Sequence, residues 1–151
     1  MTNDLSKFAK QKGIKDFMIS FTDLFGAQRA KLVPAQAIGD MAKDGAGFAG
    51  FATWLDMTPA YPDMLAVPDP TSVIQLPWKR DVAWVASNCI MEDALVAQAP
   101  RNVLNRLIDE AAKDGVTIKT GVEAEFFLLT PEGLKISDEF DTAQKPCYDQ
   151  Q

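Results

Sequence analysis

Two glutamates stand two residues apart late in the chain, in the run Gly121-Val122-Glu123-Ala124-Glu125-Phe126-Phe127. The alternation of apolar and acidic residues predicts a strand over 117–129 with both carboxylates on one face. Two carboxylates this close repel each other unless a cation lies between them, and Mg²⁺ or Mn²⁺ suits such hard oxygen ligands. Two interpretations stay open: a metal site at Glu123 and Glu125, or a strand whose charged face meets water.

The composition limits what other chemistry the chain can carry. Its 151 residues include 15 Lys and Arg, 21 Asp and Glu, and no histidine, for a net charge of −6. The absence of histidine removes the commonest general base and the commonest zinc ligand. Without a basic cluster, nucleic acid and anionic membrane surfaces are not expected partners. We therefore predict no catalytic residue within the chain itself, beyond what carboxylates, Lys and Arg can do.

The cellular compartment is predicted from what the sequence lacks. No apolar run reaches the roughly 20 residues of a membrane span, and the start Met1-Thr2-Asn3-Asp4 does not resemble a signal peptide. Cys89 and Cys147 have no metal-ligand spacing, so they are interpreted as free thiols. We expect a cytoplasmic protein with no membrane partner.

Periodicity and turn residues predict an α+β fold. A glycine, Gly13, ends the first predicted helix, which Thr2 can cap, and the residues Thr22–Gly26 predict a hairpin turn. The last helix begins at Pro100 and carries one apolar stripe. The predicted elements are a helix over 3–12, strands over 16–21 and 28–33, a helix from Pro34 to Lys43, strands over 73–76 and 82–91, and a helix over 101–113 whose stripe is Val103, Leu104, Leu107, Ile108 and Ala111.

Residues 45–70 form the least regular part of the sequence. Three glycines and four prolines alternate there with aromatic residues, among them Phe48, Phe51 and Trp54. Long loops of this kind in folded domains are often functional. The other interpretation is that the aromatic side chains hold the loop against the core.

Four motifs stand in order along the chain and together cover about residues 14–130. They are Phe21-Thr22-Asp23-Leu24-x-Gly26 followed by Pro34-Ala35, Asp63-Met64 followed by Pro68-Asp69, Pro100-Arg101-x-x-Leu104, and Gly121-x-Glu123-x-Glu125-Phe126-Phe127-Leu128. This ordered set resembles the glutamine synthetase family. Pro62 stands where that family usually has serine, and Ala99 replaces an aspartate, which leaves a poor helix cap.

The resemblance implies an architecture and a reaction. Residues 1–99 would form a β-grasp-like N-terminal domain and residues 100–151 the incomplete beginning of a catalytic domain, so that the chain would be the front portion of a larger enzyme. ATP would phosphorylate the γ-carboxylate of glutamate, and an amine would attack the acyl phosphate. Glu123 and Glu125 would each hold one metal ion, Mg²⁺ or Mn²⁺. The resemblance also implies a closed homo-oligomeric ring, such as a dodecamer, whose active sites span two subunits.

One departure from the family bears on the amine. Family members that use ammonia carry Phe-Asp-Gly-Ser-Ser in the long loop, which reaches a neighbouring subunit, whereas this chain has Phe48-Ala49-Gly50-Phe51-Ala52. Ala49 replaces the aspartate that would hold ammonium, and Ala52 replaces the second serine. Burying a methyl group there would contribute on the order of 1 kcal/mol.

Ala49, Gly50, Phe51 and Ala52 are therefore interpreted as an amine pocket for methylamine or another small alkylamine, as in the γ-glutamylmethylamide synthetases and type III-like members of the family. Two alternatives stay open. Ammonia is the amine if a carboxylate outside this chain replaces the aspartate. In the other alternative, the chain is a non-catalytic module that only assembles or regulates. The family's nucleotide- and glutamate-binding residues have no counterpart here, so residues 1–151 alone are expected to be inactive.

Overall fold

The structure, a computed structural model, describes residues 4–133. They belong to two units, Met1–Thr117 and Ile118–Gln151. The predicted cap Thr2, the thiol of Cys147 and the polar stretch 134–151 lie outside the described residues. Within 4–133, none of the helices has the length and apolar content to cross a bilayer.

The first hairpin forms where the sequence alternates. Strand β1 (Asp16–Thr22) pairs antiparallel with strand β2 (Gln28–Pro34), in a register that places Asp16 opposite Pro34 and Thr22 opposite Gln28. The alternate residues Phe17, Ile19 and Phe21 of β1 are buried in the core, as expected for a strand with one apolar face. Both predicted strands are confirmed, each one residue longer.

A long strand, β6 (Val82–Met91), lies beside β1 and runs parallel to it, with Asp16 opposite Val82. Its residues are buried on both faces over much of its length, which explains its near-continuous small and β-branched sequence. On its other side come β4 (Met64–Pro68) and then β3 (Ala46–Phe48), both antiparallel. The strand order is β2-β1-β6-β4-β3, and two short strands, β5 (Ile74–Gln75) and β7 (Ala94–Leu95), pair with β6.

Two helices contribute to the core that the sheet buries. Helix α1 (Leu5–Lys12) begins two residues later than predicted, and its cap is Asp4 and not Thr2: the Asp4 carboxylate accepts from the Lys7 N–H at 3.1 Å, and Gly13 ends the helix in the left-handed conformation. A short 3-10 turn over 35–37 leads into helix α2 (Ile38–Asp44). Leu5, Ala9 and Ile38 join the buried cluster around Phe17 and Ile19. The chain is therefore a mixed α+β protein, as predicted.

Helix α3 (Pro100–Lys113) begins one residue before the predicted range 101–113, and its apolar stripe is not its buried face. Asn102 is 5% exposed, whereas Leu104, Leu107 and Ile108 are about half exposed. The Asn102 side chain donates to the carbonyls of Cys89 at 2.8 Å and Val96 at 2.9 Å. These hydrogen bonds place the polar side chain of Asn102 against β6, while Leu104, Leu107 and Ile108 of the apolar stripe stay about half exposed.

The Arg101 guanidinium pairs with Asp69 and donates to the Asn88 side chain at 3.1 Å. Cys89 is a free and buried thiol, and burial raises its pKa to about 12. A thiol with so high a pKa stays protonated, so Cys89 is a packing residue.

Two predictions of secondary structure are wrong. The segment 117–128 has no strand, and only Leu129 forms an isolated bridge, because a strand needs a paired neighbour and no described residue provides one. The segment 45–70 is more regular than predicted, since it contains β3, β4 and a 3-10 turn. The boundary predicted between residues 99 and 100 concerns family domains and stays a prediction.

The burial of Phe17 gives a test of the fold. Phe17→Ala should lower the free energy of unfolding by about 3–5 kcal/mol, because it leaves a cavity in the fully buried cluster. Leu32→Ala, on the paired strand but 55% exposed, should change it by less than about 1 kcal/mol. Urea denaturation measures both variants, and equal losses would contradict the register of the hairpin.

Candidate functional site

The segment between β3 and β4 presents an apolar surface. We call residues 48–54 the aromatic loop. Residues Gly50–Thr53 form a 3-10 turn, in which the Ala52 N–H donates to the Ala49 carbonyl at 3.0 Å and the Thr53 hydroxyl donates to the Gly50 carbonyl at 2.5 Å. Gly50 and Thr53 are buried, whereas Ala49, Phe51 and Ala52 are exposed. The turn therefore directs three apolar side chains outward.

Close packing beneath the turn requires glycine at position 50. A Cβ atom there would lie 3.0 Å from the sulfur of Met57 and 3.0 Å from the carbonyl oxygen of Pro62. The Met57 side chain could move aside, but the Pro62 backbone could not do so without displacing the loop. Gly50 therefore holds the turn against the rest of the first unit and does not itself offer a binding surface.

The beginning of the loop is fixed by Phe48. Its ring meets the ring of the buried Phe21 edge to face, with centroids 5.0 Å apart and planes at 87°, the geometry that aromatic quadrupoles favour. The Lys31 ammonium lies 4.9 Å from the centroid of the Phe48 ring and donates to the Gly47 carbonyl. At this end, an aromatic side chain does hold the loop against the core, as the second interpretation of this segment expected.

The end of the loop is fixed by Trp54 and Leu55. Leu55 is fully buried, and its carbonyl accepts from the Gln98 side chain at 2.7 Å. Trp54 has left-handed backbone angles, φ 51° and ψ 43°, which are uncommon for a bulky residue. Its carbonyl accepts from the Leu24 N–H at 3.2 Å, and its ring meets the Phe25 ring edge to face at 5.5 Å.

The hairpin turn that supports Trp54 is organised by a buried carboxylate. Asp23 is 1% exposed and accepts from the N–H groups of Phe25 and Ala27, each at 2.9 Å, and from the Arg29 guanidinium at 2.7 Å. Burial opposes ionisation of Asp23, but the hydrogen bonds from Ala27, Arg29 and Phe25 outweigh it and lower the pKa of this carboxyl. The turn is therefore rigid where it meets the loop.

The chemistry available to the loop is binding and not proton transfer. Residues 48–54 include no side chain that ionises near neutral pH, and the only hydroxyl, that of Thr53, is buried and already bonded to the Gly50 carbonyl. The exposed atoms of Ala49, Phe51 and Ala52 can contribute only apolar contact. The prediction that the chain contains no catalytic residue stays a prediction.

The predicted metal ligands lie in the second unit. Glu123 and Glu125 are exposed, and neither forms an ion pair with another described residue. No group of three or more potential ligands occurs among residues 4–133, but Mg²⁺ is usually held by only one or two carboxylates together with water and substrate phosphates. The donor atoms fit such an ion, and the metal site stays a prediction.

Two features of the site were not predicted from the sequence. The turn residues around Asp23 were recognised, but the ion pair between Asp23 and Arg29 was not. These two residues are six positions apart and meet only because the hairpin register places Thr22 opposite Gln28. The left-handed backbone of Trp54 has no sequence signal, because glycine or asparagine is the usual residue in that conformation.

Known proteins that are similar to this chain carry the names glutamine synthetase and glutamate–methylamine ligase. The model of the family described as glutamine synthetase, catalytic domain, matches residues 97–150. A glutamine synthetase of Rhizobium meliloti is 71% identical over 151 residues, which are all of this chain and 35% of that protein. A glutamate–methylamine ligase of Methyloversatilis universalis is 34% identical over 97% of this chain and 34% of its own length.

Solved structures agree over nearly the whole chain. A GmaS–ADP complex superimposes with a TM-score of 0.90 at 57% identity, covering 99% of this chain and 35% of the other, and ligand-free GmaS gives the same values. The chain thus spans about a third of the length of the relatives that it matches.

The buried carboxylate gives a pH-dependent test. Because the folded pKa of Asp23 is lowered, its contribution to stability is complete above its ordinary value of 3.8 and is lost as the pH falls through the folded pKa. Asp23→Asn should therefore be less stable than wild type at pH 7, and the difference should shrink below about pH 4. The exposed Asp109→Asn is the control, and thermal unfolding between pH 3 and 7 is the measurement. A difference independent of pH would contradict the assignment.

Proposed function

Because this chain belongs to the glutamine synthetase family, we propose that the whole protein is an ATP-dependent ligase that joins glutamate to a small alkylamine such as methylamine. ATP transfers its γ-phosphoryl group to the γ-carboxylate of glutamate. The amine then attacks the acyl phosphate, and phosphate leaves as the γ-glutamyl amide forms. The single observation that carries the choice of amine is the exposed, uncharged Ala49 on the aromatic loop.

The physical argument concerns charge and apolar contact. An aspartate at position 49 would supply a counter-charge for ammonium and accept its proton, as it does in the family members that use ammonia. Ala49, Phe51 and Ala52 offer no such charge. They offer apolar surface, and burying one methyl group there is worth on the order of 1 kcal/mol, or about fivefold in binding. An alkylamine gains from this surface, and ammonia does not.

The similar proteins support two amines. The methylamine ligase of Methyloversatilis universalis supports the alkylamine. The second candidate is ammonia, because relatives from Rhizobium meliloti and Rhizobium leguminosarum, at 71% and 72% identity, are named glutamine synthetase. For that candidate, a carboxylate outside this chain has to replace the missing aspartate.

The remaining proposals concern the metal and the assembly. Glu123 and Glu125 would each hold one Mg²⁺ or Mn²⁺ ion, and the ions would neutralise charge on the transferred phosphoryl group. Residues 1–99 are a β-grasp-like domain, and the mixed sheet with its central parallel pair supports this. The protein is a cytoplasmic homo-oligomeric ring, such as a dodecamer, and the aromatic loop of one subunit enters the active site of the next.

The choice of amine is tested with the full-length enzyme. With glutamate and ATP, kcat/KM should be higher for methylamine than for ammonia. Ala49→Asp should lower the ratio of kcat/KM for methylamine to kcat/KM for ammonia by at least about fivefold, in favour of ammonia. The reason is that aspartate restores the counter-charge and removes the methyl contact. Ala60→Asp, at an exposed alanine of the same segment, is the matched control.

Phosphate release is the measurement, and each result has a clear meaning. Equal or better turnover of ammonia by the wild type would overturn the alkylamine proposal in favour of the second candidate. Residues 1–151 alone should release no phosphate. If they did release phosphate in the presence of glutamate and ATP, the proposal that the active site needs residues outside this chain would be wrong.

The metal proposal is tested by removing one charge at a time. Glu123→Gln and Glu125→Gln should each weaken Mn²⁺ binding by at least about tenfold, since even residues that only orient metal ligands have effects of that size. Calorimetric titration of the full-length protein with Mn²⁺ measures this without reference to activity. Glu132→Gln, also exposed in the second unit, is the control, and unchanged affinity in both test variants would contradict the site.

A further inference from the structure

The first hairpin and the aromatic loop meet at one residue, Trp54. The Leu24 N–H donates to the Trp54 carbonyl at 3.2 Å, and the Phe25 ring meets the Trp54 ring at 5.5 Å with an interplanar angle of 82°. Both contacts come from adjacent residues of one turn. They hold the backbone and the side chain of Trp54 at the same time.

Trp54 needs such support because of its backbone. It adopts the left-handed region, φ 51°, which a bulky residue occupies only where the surroundings stabilise it. It directly follows the 3-10 turn Gly50–Thr53. The direction in which Phe51 and Ala52 point therefore depends on Trp54 keeping this conformation.

We propose that Phe25 is a positioning residue for the amine pocket, a role that rests on the proposed function of the aromatic loop. Phe25 supports Trp54 from the side, and Trp54 in turn fixes the turn that carries Phe51 and Ala52. Phe25 does not belong to the aromatic loop, so it acts through Trp54. The reaction itself is unchanged by Phe25, and the affinity for the amine depends on it.

Two observations favour this role over a role in general stability. Phe25 is 77% exposed, so its ring contributes little to the buried core. The turn beneath it is rigid, because the Asp23 carboxylate accepts from the Phe25 N–H at 2.9 Å and pairs with Arg29. An exposed aromatic ring on a rigid base is suited to holding a neighbouring ring in place.

The test uses the full-length enzyme and three variants. Phe25→Ala should raise KM for the amine about 3- to 10-fold, the range expected when one aromatic pair is lost, and should leave KM for glutamate and for ATP nearly unchanged. Phe25→Tyr keeps the ring edge and should restore the wild-type KM. Trp78→Ala, at an exposed aromatic residue of the same unit, is the matched control and should behave as wild type.

A measurement independent of catalysis completes the test. Chymotrypsin cleaves after aromatic residues, and Phe25→Ala should accelerate cleavage after Phe51 and Trp54, whereas Phe25→Tyr should not. An unchanged cleavage rate in Phe25→Ala would overturn the proposal, and so would an equal rise of KM for all three substrates. Kinetics are measured with whichever amine the wild type uses better. A preference for ammonia would therefore overturn the alkylamine proposal and leave the proposal for Phe25 testable.

Discussion

The parallel pairing of β1 with β6 is the constraint on which the rest of the first unit depends. The other strands attach to this pair directly, except β3, which attaches through β4. Parallel neighbours cannot be joined by a tight turn, so the chain between them has to cross over. Residues 23–81 make this crossing and contain the aromatic loop. The loop is thus part of an obligatory connection that runs over the surface, where binding segments are usually found.

The parts of the fold that could be predicted are those whose signals are local. The first hairpin has alternating residues around a turn, and α3 has a helical period between a proline and a glycine. Strand β4 was not predicted, because its five residues lie among prolines and become a strand by pairing with β6. The segment 117–129 shows the converse, since its alternation is strong but no described residue pairs with it over 117–128. Pairing between distant segments decides both cases, and local patterns do not record it.

The same distinction applies to the candidate site. The residue types at 49–52 were identified from the sequence, through their resemblance to a family motif. That Gly50 is buried while its neighbours Ala49 and Phe51 are exposed follows from the packing of Met57 and Pro62 against it. Helix α3 gives another example. Asn102 is buried because its side chain donates to the carbonyls of Cys89 and Val96, in and next to the β6–β7 hairpin. The residue types of a segment determine which kinds of contact it can make. The tertiary structure determines which of its side chains are exposed to make them.

Discrimination between amines that differ by one methyl group requires more than an apolar residue at position 49. One buried methyl group is worth on the order of 1 kcal/mol only if the surrounding atoms stay in contact with it. A radial gap of about 0.5 Å would already lose about a quarter of the dispersion energy of that contact. The aromatic loop is held at its start by Phe48 on Phe21 and at its end by Leu55 and Trp54. If the proposed alkylamine pocket is formed by this loop, its selectivity would depend on the hairpin and the loop together, with Ala49 as the residue that meets the methyl group.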